Sequence, residues 1–332
     1  MSDVMHNTAQ KILDEKREIL LQERNDSQSG QGENGKAKDI ISVLLRANEQ
    51  AKETSEKLTD AELTGQMTVL IFGAQDTTSS LLSRMLYLLS VNQAVQDKVR
   101  EEIRAAIAIH QASDAGSFST RLSYDEVIAL PWLDAVIRET LRLFPPVPFV
   151  RRTAIKETTL SYSTSSSFQT QRVRVPKGTT LFVGIANANR IASRSVWGSD
   201  ADEWKPQRWL EDHDDQGEYG DDSESSTRRM KLPGIYHGML SFLGGGRSCI
   251  GYKFAQVEMK ILLATLLSKF RFVPAANQNG LREEIVWNLS QIISPSVRHR
   301  KVYKKRGFEG AMETVIEEIE EKGLPLGVEV LP

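Results

Sequence analysis

The chain has 332 residues, a formal net charge of −2 and 40% hydrophobic residues, enough for one large domain or two ordinary ones. The near-neutral charge excludes a chain built to grip nucleic acid. No apolar run reaches the ~18 residues of a membrane span. A lone cysteine, Cys249, excludes an internal disulfide and any paired-thiol redox or zinc site, and the start MSDVMHNTAQKILDEK carries no signal-peptide core.

Residues 8–24 carry a helical pattern, and NDSQSGQGENGKAK (25–38) breaks it as a polar, glycine-bearing linker. DIISVLLRANEQ predicts a short helix. A longer one starts near Thr59, where Thr59 and Glu62 have capping-box spacing. Its apolar positions run through Leu63, Met67, Leu70, Ile71, Leu81, Leu82, Met85 and Leu88. A further helix covers Val91 to His110. Ser123-Tyr124-Asp125-Glu126 opens another that Pro131 ends, and Trp132 to Phe144 forms the next, stopped by Pro145-Pro146.

The pattern then changes. Residues 171–175, 176–178 and 179–183 read as strand, turn and strand, and Ala186 to Leu243 is mostly loop, with an acidic stretch at 213–227. Phe254, Val257, Ile261, Thr265 and Leu266 place one apolar face on a helix ending near Phe270. Strand-like segments follow, and METVIEEIEEK predicts an acidic helical tail. The basic run Arg298-His299-Arg300-Lys301 with Lys304-Lys305-Arg306 reads either as a solvated strand or loop face or as a docking patch for an acidic partner. The fold class is mainly α with a minor β part. One domain, 1–332, is divided into a helical region (1–145), a β-containing region (146–186), a meander (187–241), a glycine-rich loop with its helix (242–270), and C-terminal strands and tail (271–332).

The cysteine sits in FLGGGRSCIG (242–251), among four glycines and beside Arg247. A buried free cysteine ordinarily packs as a small apolar residue. Glycines, however, let a backbone approach something closely, and a neighbouring arginine favours thiolate. The first N–H groups of the following helix point back toward Cys249 and would stabilise an anion there. These features suit a metal-bound thiolate better than a core residue.

Phe242, Gly245, Arg247, Cys249 and Gly251 satisfy the spacing Phe-x-x-Gly-x-Arg-x-Cys-x-Gly. The segment resembles the haem-binding loop of the cytochrome P450 family, the haem-thiolate monooxygenases. The resemblance implies haem b with Cys249 as axial ligand and sole metal-binding residue, glycines lying against the porphyrin, Phe242 near the ligand and Arg247 on a propionate. Arg152, in PFVRRTAIKE, falls where the family places a second propionate-binding arginine, leaving Arg151 solvated.

Further segments carry the same resemblance. Glu139 and Arg142, in ETLRLFPPVP, share a helix face at i, i+3; Glu101 and Arg104 have the same spacing but read as a solvated pair. In the family such a pair joins an arginine from a later loop, which Arg208 in WKPQRW would supply, forming a structural triad that holds the cysteine loop. Gln207 and Trp209 depart from the usual glutamate and phenylalanine. FGAQDTT (72–78) resembles the oxygen-binding segment of the family, where the helix opens locally. Asp76 and Thr77 fall on its acid and alcohol, the catalytic residues that relay protons to oxygen, while Ala74 replaces a glycine. Asn189 stands before Arg190, where a His-Arg pair is common.

The resemblance covers only the C-terminal portion of the family fold, as in an N-terminally truncated member of eukaryotic, fungi-included, microsomal type. It implies insertion of one atom of O2 into an apolar organic substrate, with NADPH-cytochrome P450 reductase or a similar donor as partner and no nucleic acid. The positions around Phe72 and Val147 to Phe149 are apolar, as a substrate pocket requires. An endoplasmic reticulum membrane is expected for the full-length parent, reached through segments absent from this chain. The alternative is a truncated, non-catalytic product that binds haem weakly or not at all. Without the preceding elements, Leu70, Ile71, Leu81 and Leu82 are expected to be left open.

Overall fold

The computed structural model describes residues 2–28, 39–53, 56–113, 122–164, 167–190, 197–210, 234–277, 279–290, 292–306 and 312–331. Most of the expected linker, 29–38, and the acidic stretch 213–227 lie outside the described residues. Helices outweigh strands, and two compact units divide the chain at Asp76/Thr77. Among the described residues no helix is long and apolar enough to cross a membrane.

The first unit holds α1 (Ser2–Gln28), α2 (Ile40–Gln50) and the first half of α3 (Asp60–Val91). Asp39 caps α2 by accepting the Ser42 N–H at 3.1 Å, and Lys16 Nζ of α1 lies 2.7 Å from its carboxylate. Thr59 and Glu62 close the expected capping box, with the Thr59 N–H donating to Glu62 Oε2 at 2.8 Å and the Glu62 N–H to Thr59 Oγ1 at 3.3 Å. Ala9, Leu13, Leu20, Leu45, Leu63 and Met67 form the core of this unit. Helix α3 is α-helical throughout, so the local opening implied by the resemblance is absent. Ala74, the best helix former, stands where the family pattern has glycine.

In the second unit, Leu81, Met85 and Leu89 of α3 share a core with α4 (Gln93–Ser113), α6 (Pro131–Leu143) and α8 (Tyr252–Lys269). Leu81 is therefore buried, at 2% exposure, against the expectation that it would be open, while Leu70, Ile71 and Leu82 are half-buried. Between α4 and α6, Ser123 and Glu126 form a capping box on the short α5 (Tyr124–Ile128). Helix α6 has no side-chain cap of its own and starts on Pro131. Instead Glu102 of α4 accepts the Trp132 and Leu133 N–H groups at 2.8 and 3.1 Å. Its neighbour Glu101 is exposed and pairs with Lys98 at 3.3 Å rather than with Arg104.

Helix α8 buries a different face from the one expected. Met259, Lys260, Leu263, Ala264 and Leu267 are buried, whereas Phe254 and Ile261 are 64% and 45% exposed and Thr265 is exposed. Polar and apolar residues interleave around this helix, so periodicity does not select a face; packing against α4 and α6 does.

The β part is antiparallel throughout. β1 (Phe149–Thr153) pairs with β4 (Thr180–Gly184), and β2 (Thr158–Thr164) with β3 (Ser167–Val175). The expected strand-turn-strand at 171–183 is thus two strands of different sheets. β5 (Phe270–Pro274) pairs with β9 (Leu326–Val330), and β6 (Glu284–Leu289), β7 (Ile293–Arg306) and β8 (Met312–Lys322) form a three-stranded sheet. METVIEEIEEK is therefore strand β8, not a helix. As a helix it would set Glu317 beside Glu320 and Glu321 in like-charge contact. As a strand it places Glu320, Glu318 and Glu317 opposite Arg298, Arg300 and Lys301. Arg298 Nη2 reaches Glu320 at 3.0 Å and Arg300 Nε reaches Glu318 at 3.6 Å. Arg298 and Arg300, two residues of the basic run, thus pair with acid on the neighbouring strand.

Candidate haem-thiolate site

Helix α6 is the hub of the site. Glu139 and Arg142 are both fully buried at 0% exposure and form a bidentate pair, with Arg142 Nε 2.8 Å from Glu139 Oε2 and Nη2 2.9 Å from Oε1. A carboxylate with both oxygens out of water needs roughly four or more donors. Arg208 Nε at 2.9 Å, the Lys205 N–H at 2.9 Å and Trp209 Nε1 at 3.0 Å supply the rest. The structure thus brings Glu139, Arg142 and Arg208 together, and the departing residue, Trp209, donates a bond that phenylalanine has no atom to make. The other departing residue, Gln207, sits in the same 3-10 turn, Pro206–Trp209.

The arginines extend the network into backbone. Arg142 donates to the Ala201 and Glu203 carbonyls at 2.6 and 3.2 Å, and Arg208 to the Trp197 and Asp200 carbonyls at 3.2 and 3.0 Å. Burial works against the Arg208 charge, but Glu139 and Asp200 outweigh it and hold its pKa above the ordinary value. Burial alone would raise the Asp200 carboxyl, yet hydrogen bonds from Lys205 and Arg208 hold it below 3.8.

The last turn of α6 carries carbonyls with no partner inside the helix. Ser241 Oγ donates to the Leu141 carbonyl at 2.8 Å, and Arg190 Nε to that of Leu143 at 2.8 Å. Ser241 opens the cysteine loop, and Arg190 ends α7 (Ile185–Arg190), whose fully buried Asn189 donates to Ser241 Oγ at 2.9 Å and accepts the Leu240 N–H at 2.9 Å. Sequence reasoning recorded Asn189 only as a missing histidine; its partners lie 51 and 52 residues on, at a separation no local pattern signals.

The loop itself folds back on its cysteine. The Cys249 N–H donates to the Phe242 carbonyl at 2.9 Å, and the Ser248 N–H to that of Gly245 at 3.1 Å. Gly245 needs its glycine for a φ of +67°, and Leu243 holds a φ of +58° that only glycine adopts without strain. Phe242 is half-buried, its ring edge-on to Tyr236 at 5.3 Å and tilted against Tyr252 at 6.2 Å. Cys249 and Arg247 are exposed, and Ile250 is 87% exposed. The following helix α8 starts at Gly251 without a side-chain cap, leaving its first N–H groups directed at the loop. From α6, Asp134 fixes this helix through Lys260 Nζ at 2.7 Å.

The residues present fit a haem. A Cβ added at Gly245, Gly246 or Gly251 would meet nothing within 4 Å, so an open face lies along the loop beside the exposed thiol. One sulfur donor suits a macrocycle that brings its own nitrogens, and among the described residues no three metal-ligating side chains gather as a self-sufficient cage.

The remaining predicted residues lie on other elements. Arg152 is exposed on β1 opposite Leu181, on the strand face away from Phe149 and Arg151; its Nη1 donates to the Arg151 carbonyl at 2.9 Å. Among the described residues neither Arg152 nor Arg247 pairs with a carboxylate, which leaves both guanidinium groups open to an anion. Phe149 and Phe182, also exposed, stack edge-to-face at 5.6 Å. On α3, Asp76 is exposed and Thr77 half-buried.

Similarity to known proteins agrees with this geometry. The cytochrome P450 family model matches residues 1–297. Cytochrome P450 monooxygenase 91 of Postia placenta is 41% identical over 301 residues, covering 90% of this chain and 50% of that protein. Cytochrome P450 monooxygenase 219 of the same fungus is 37% identical over 89% of this chain and 49% of its own length. Ganoderic acid synthetase CYP5150L8 of Ganoderma lucidum is 38% identical over 84% of this chain and 48% of its own. The chain spans about half the length of these relatives, and it belongs to the cytochrome P450 family.

Proposed function

We propose that the protein acts as a haem-dependent monooxygenase. One atom of O2 enters an apolar organic substrate as a hydroxyl, the other leaves as water, and NADPH-cytochrome P450 reductase at the endoplasmic reticulum supplies the two electrons. The observation that carries this reading is the exposed Cys249 thiol on a loop with an open glycine face, at the uncapped start of α8.

In this reading Cys249 holds haem b as thiolate, stabilised by the N–H groups and dipole of α8. Arg152 and Arg247 would pair with the propionates, and Phe242 would pack beside the sulfur. Bound haem supplies oxygen activation, which a thiolate ligand favours. Thr77 Oγ1 holds a proton at the reacting oxygen, and Asp76 replaces that proton from solvent, to which it is open. The buried Glu139–Arg142–Arg208 network fixes the backbone of residues 197–205 on α6, the helix to which Ser241 ties the cysteine loop. Phe149 and Phe182 offer apolar surface for the substrate.

Turnover under isotopically labelled O2 tests the reaction class. The proposal expects one labelled atom in the product and one NADPH consumed per product. Oxygen drawn from water, or product formed without NADPH, contradicts it.

A further inference from the structure

We infer that Asn189 and Ser241 are positioning residues that lock the start of the cysteine loop onto helix α6. The inference deepens the haem-thiolate reading and rests on it for its functional meaning, although the lock itself is a property of this chain alone.

The direction of every bond in the lock is determined. The Leu240 N–H can only donate, so the atom 2.9 Å away must be the Asn189 carbonyl oxygen, Oδ1. That leaves Nδ2 of the same amide facing Ser241 Oγ at 2.9 Å, where it must donate. Ser241 has one hydroxyl proton, and the Leu141 carbonyl at 2.8 Å can only accept it. The relay therefore runs from Asn189 through Ser241 to α6, while the other end of the same amide takes up a loop N–H. The Ser241 hydroxyl has a single proton, so it cannot serve Asn189 and the Leu141 carbonyl as donor at once.

The lock is also placed to matter. Asn189 is 0% exposed, so an unmade bond there is not repaired by water. Its helix, α7, is anchored at the start by the Ala186 N–H to the Pro148 carbonyl at 3.0 Å and at the end by Arg190 on Leu143. The bonded residues, Leu240 and Ser241, immediately precede Phe242, whose carbonyl receives the Cys249 N–H. Asn189 and Ser241 thus tie the base of the turn that carries the thiol to the helix that carries Glu139 and Arg142.

Asparagine is required for its two-sided amide. Asn189→Asp keeps the shape and the acceptor but has no donor for Ser241. If the Ser241 hydroxyl turned to the new carboxylate, the Leu141 carbonyl would lose its partner. Either way one bond is lost. Ser241→Ala removes the relay, while Ser241→Thr keeps it.

The test is backbone amide exchange in the haem-free full chain, followed by haem titration. Asn189→Asp and Ser241→Ala are expected to speed exchange at Leu240 and Cys249 by about tenfold or more, the scale of one net hydrogen bond. Ser241→Thr restores protection, and amides of the β6–β7 ladder do not change. In the titration the first two variants bind haem with lower affinity and a smaller fraction of thiolate-type carbon monoxide spectrum. Ser241 is only half-buried, so its alanine variant carries the test if Asn189→Asp does not fold. Exchange at Leu240 and Cys249 that stays unchanged in the variants overturns the lock. A parent chain without any thiolate spectrum overturns the haem reading instead, and the exchange result still decides whether the lock exists.

Discussion

Trp209 Nε1 donates to Glu139 Oε2 at 3.0 Å, so the side chain that departs from the family pattern is a direct partner of the buried carboxylate. Trp209→Phe keeps most of the ring packing against Trp197, whose centroid lies 5.2 Å away, but removes that donor. A hydrogen bond to a charged group is worth roughly 1.5–3 kcal/mol. The variant should lose about that much unfolding free energy, seen as a lower urea midpoint with an unchanged slope. Equal midpoints would mean that Glu139 is already satisfied without the indole.

Glu139→Ala strands Arg142 and Arg208 without their shared anion. Breaking a buried pair on one side costs roughly 3–5 kcal/mol. Glu101→Ala removes an exposed contact with Lys98 and should cost less than about 1 kcal/mol. Urea unfolding of the two variants side by side checks the contrast. Similar losses in both would remove the hub role from α6.

Asp200 gives the network a pH dependence of definite sign. Its folded pKa is depressed below 3.8 through its bonds to Lys205 and Arg208, so the unfolded chain binds the proton more readily. The stabilisation is fully present above the unfolded value and is lost as pH falls through the folded one, below about pH 4. Asp200→Asn should therefore flatten the acid side of the stability profile and leave its slope above about pH 6 unchanged. A parallel profile in the variant would exclude Asp200 as a source of the slope.

Thr77→Ala should leave haem binding intact and divert reducing equivalents to peroxide, because the hydroxyl is proposed to hold the proton at the reacting oxygen. Product formed per NADPH consumed measures this. An unchanged ratio removes Thr77 from proton delivery.

Some of this was legible in the sequence. The capping box at Thr59–Glu62 and the helix start at Ser123–Glu126 use bonds within one turn, so local letters announce them. The cysteine loop was legible for a similar reason: its fixed residue types sit within ten positions. Glu139 and Arg208 were paired only through resemblance, since 69 residues separate them. The buried face of α8 was not legible, because apolar and polar residues interleave around that helix and even Lys260 lies on its buried side. METVIEEIEEK was misread because its glutamates find their counter-charges on β7, across a pairing that a single strand does not reveal.

The reduced carbon monoxide spectrum of the haem-loaded protein, compared with Cys249→Ser, tests the central claim most directly. Cys249 as axial thiolate predicts a strongly red-shifted Soret band that disappears in the serine variant. A band that persists in Cys249→Ser would contradict the account.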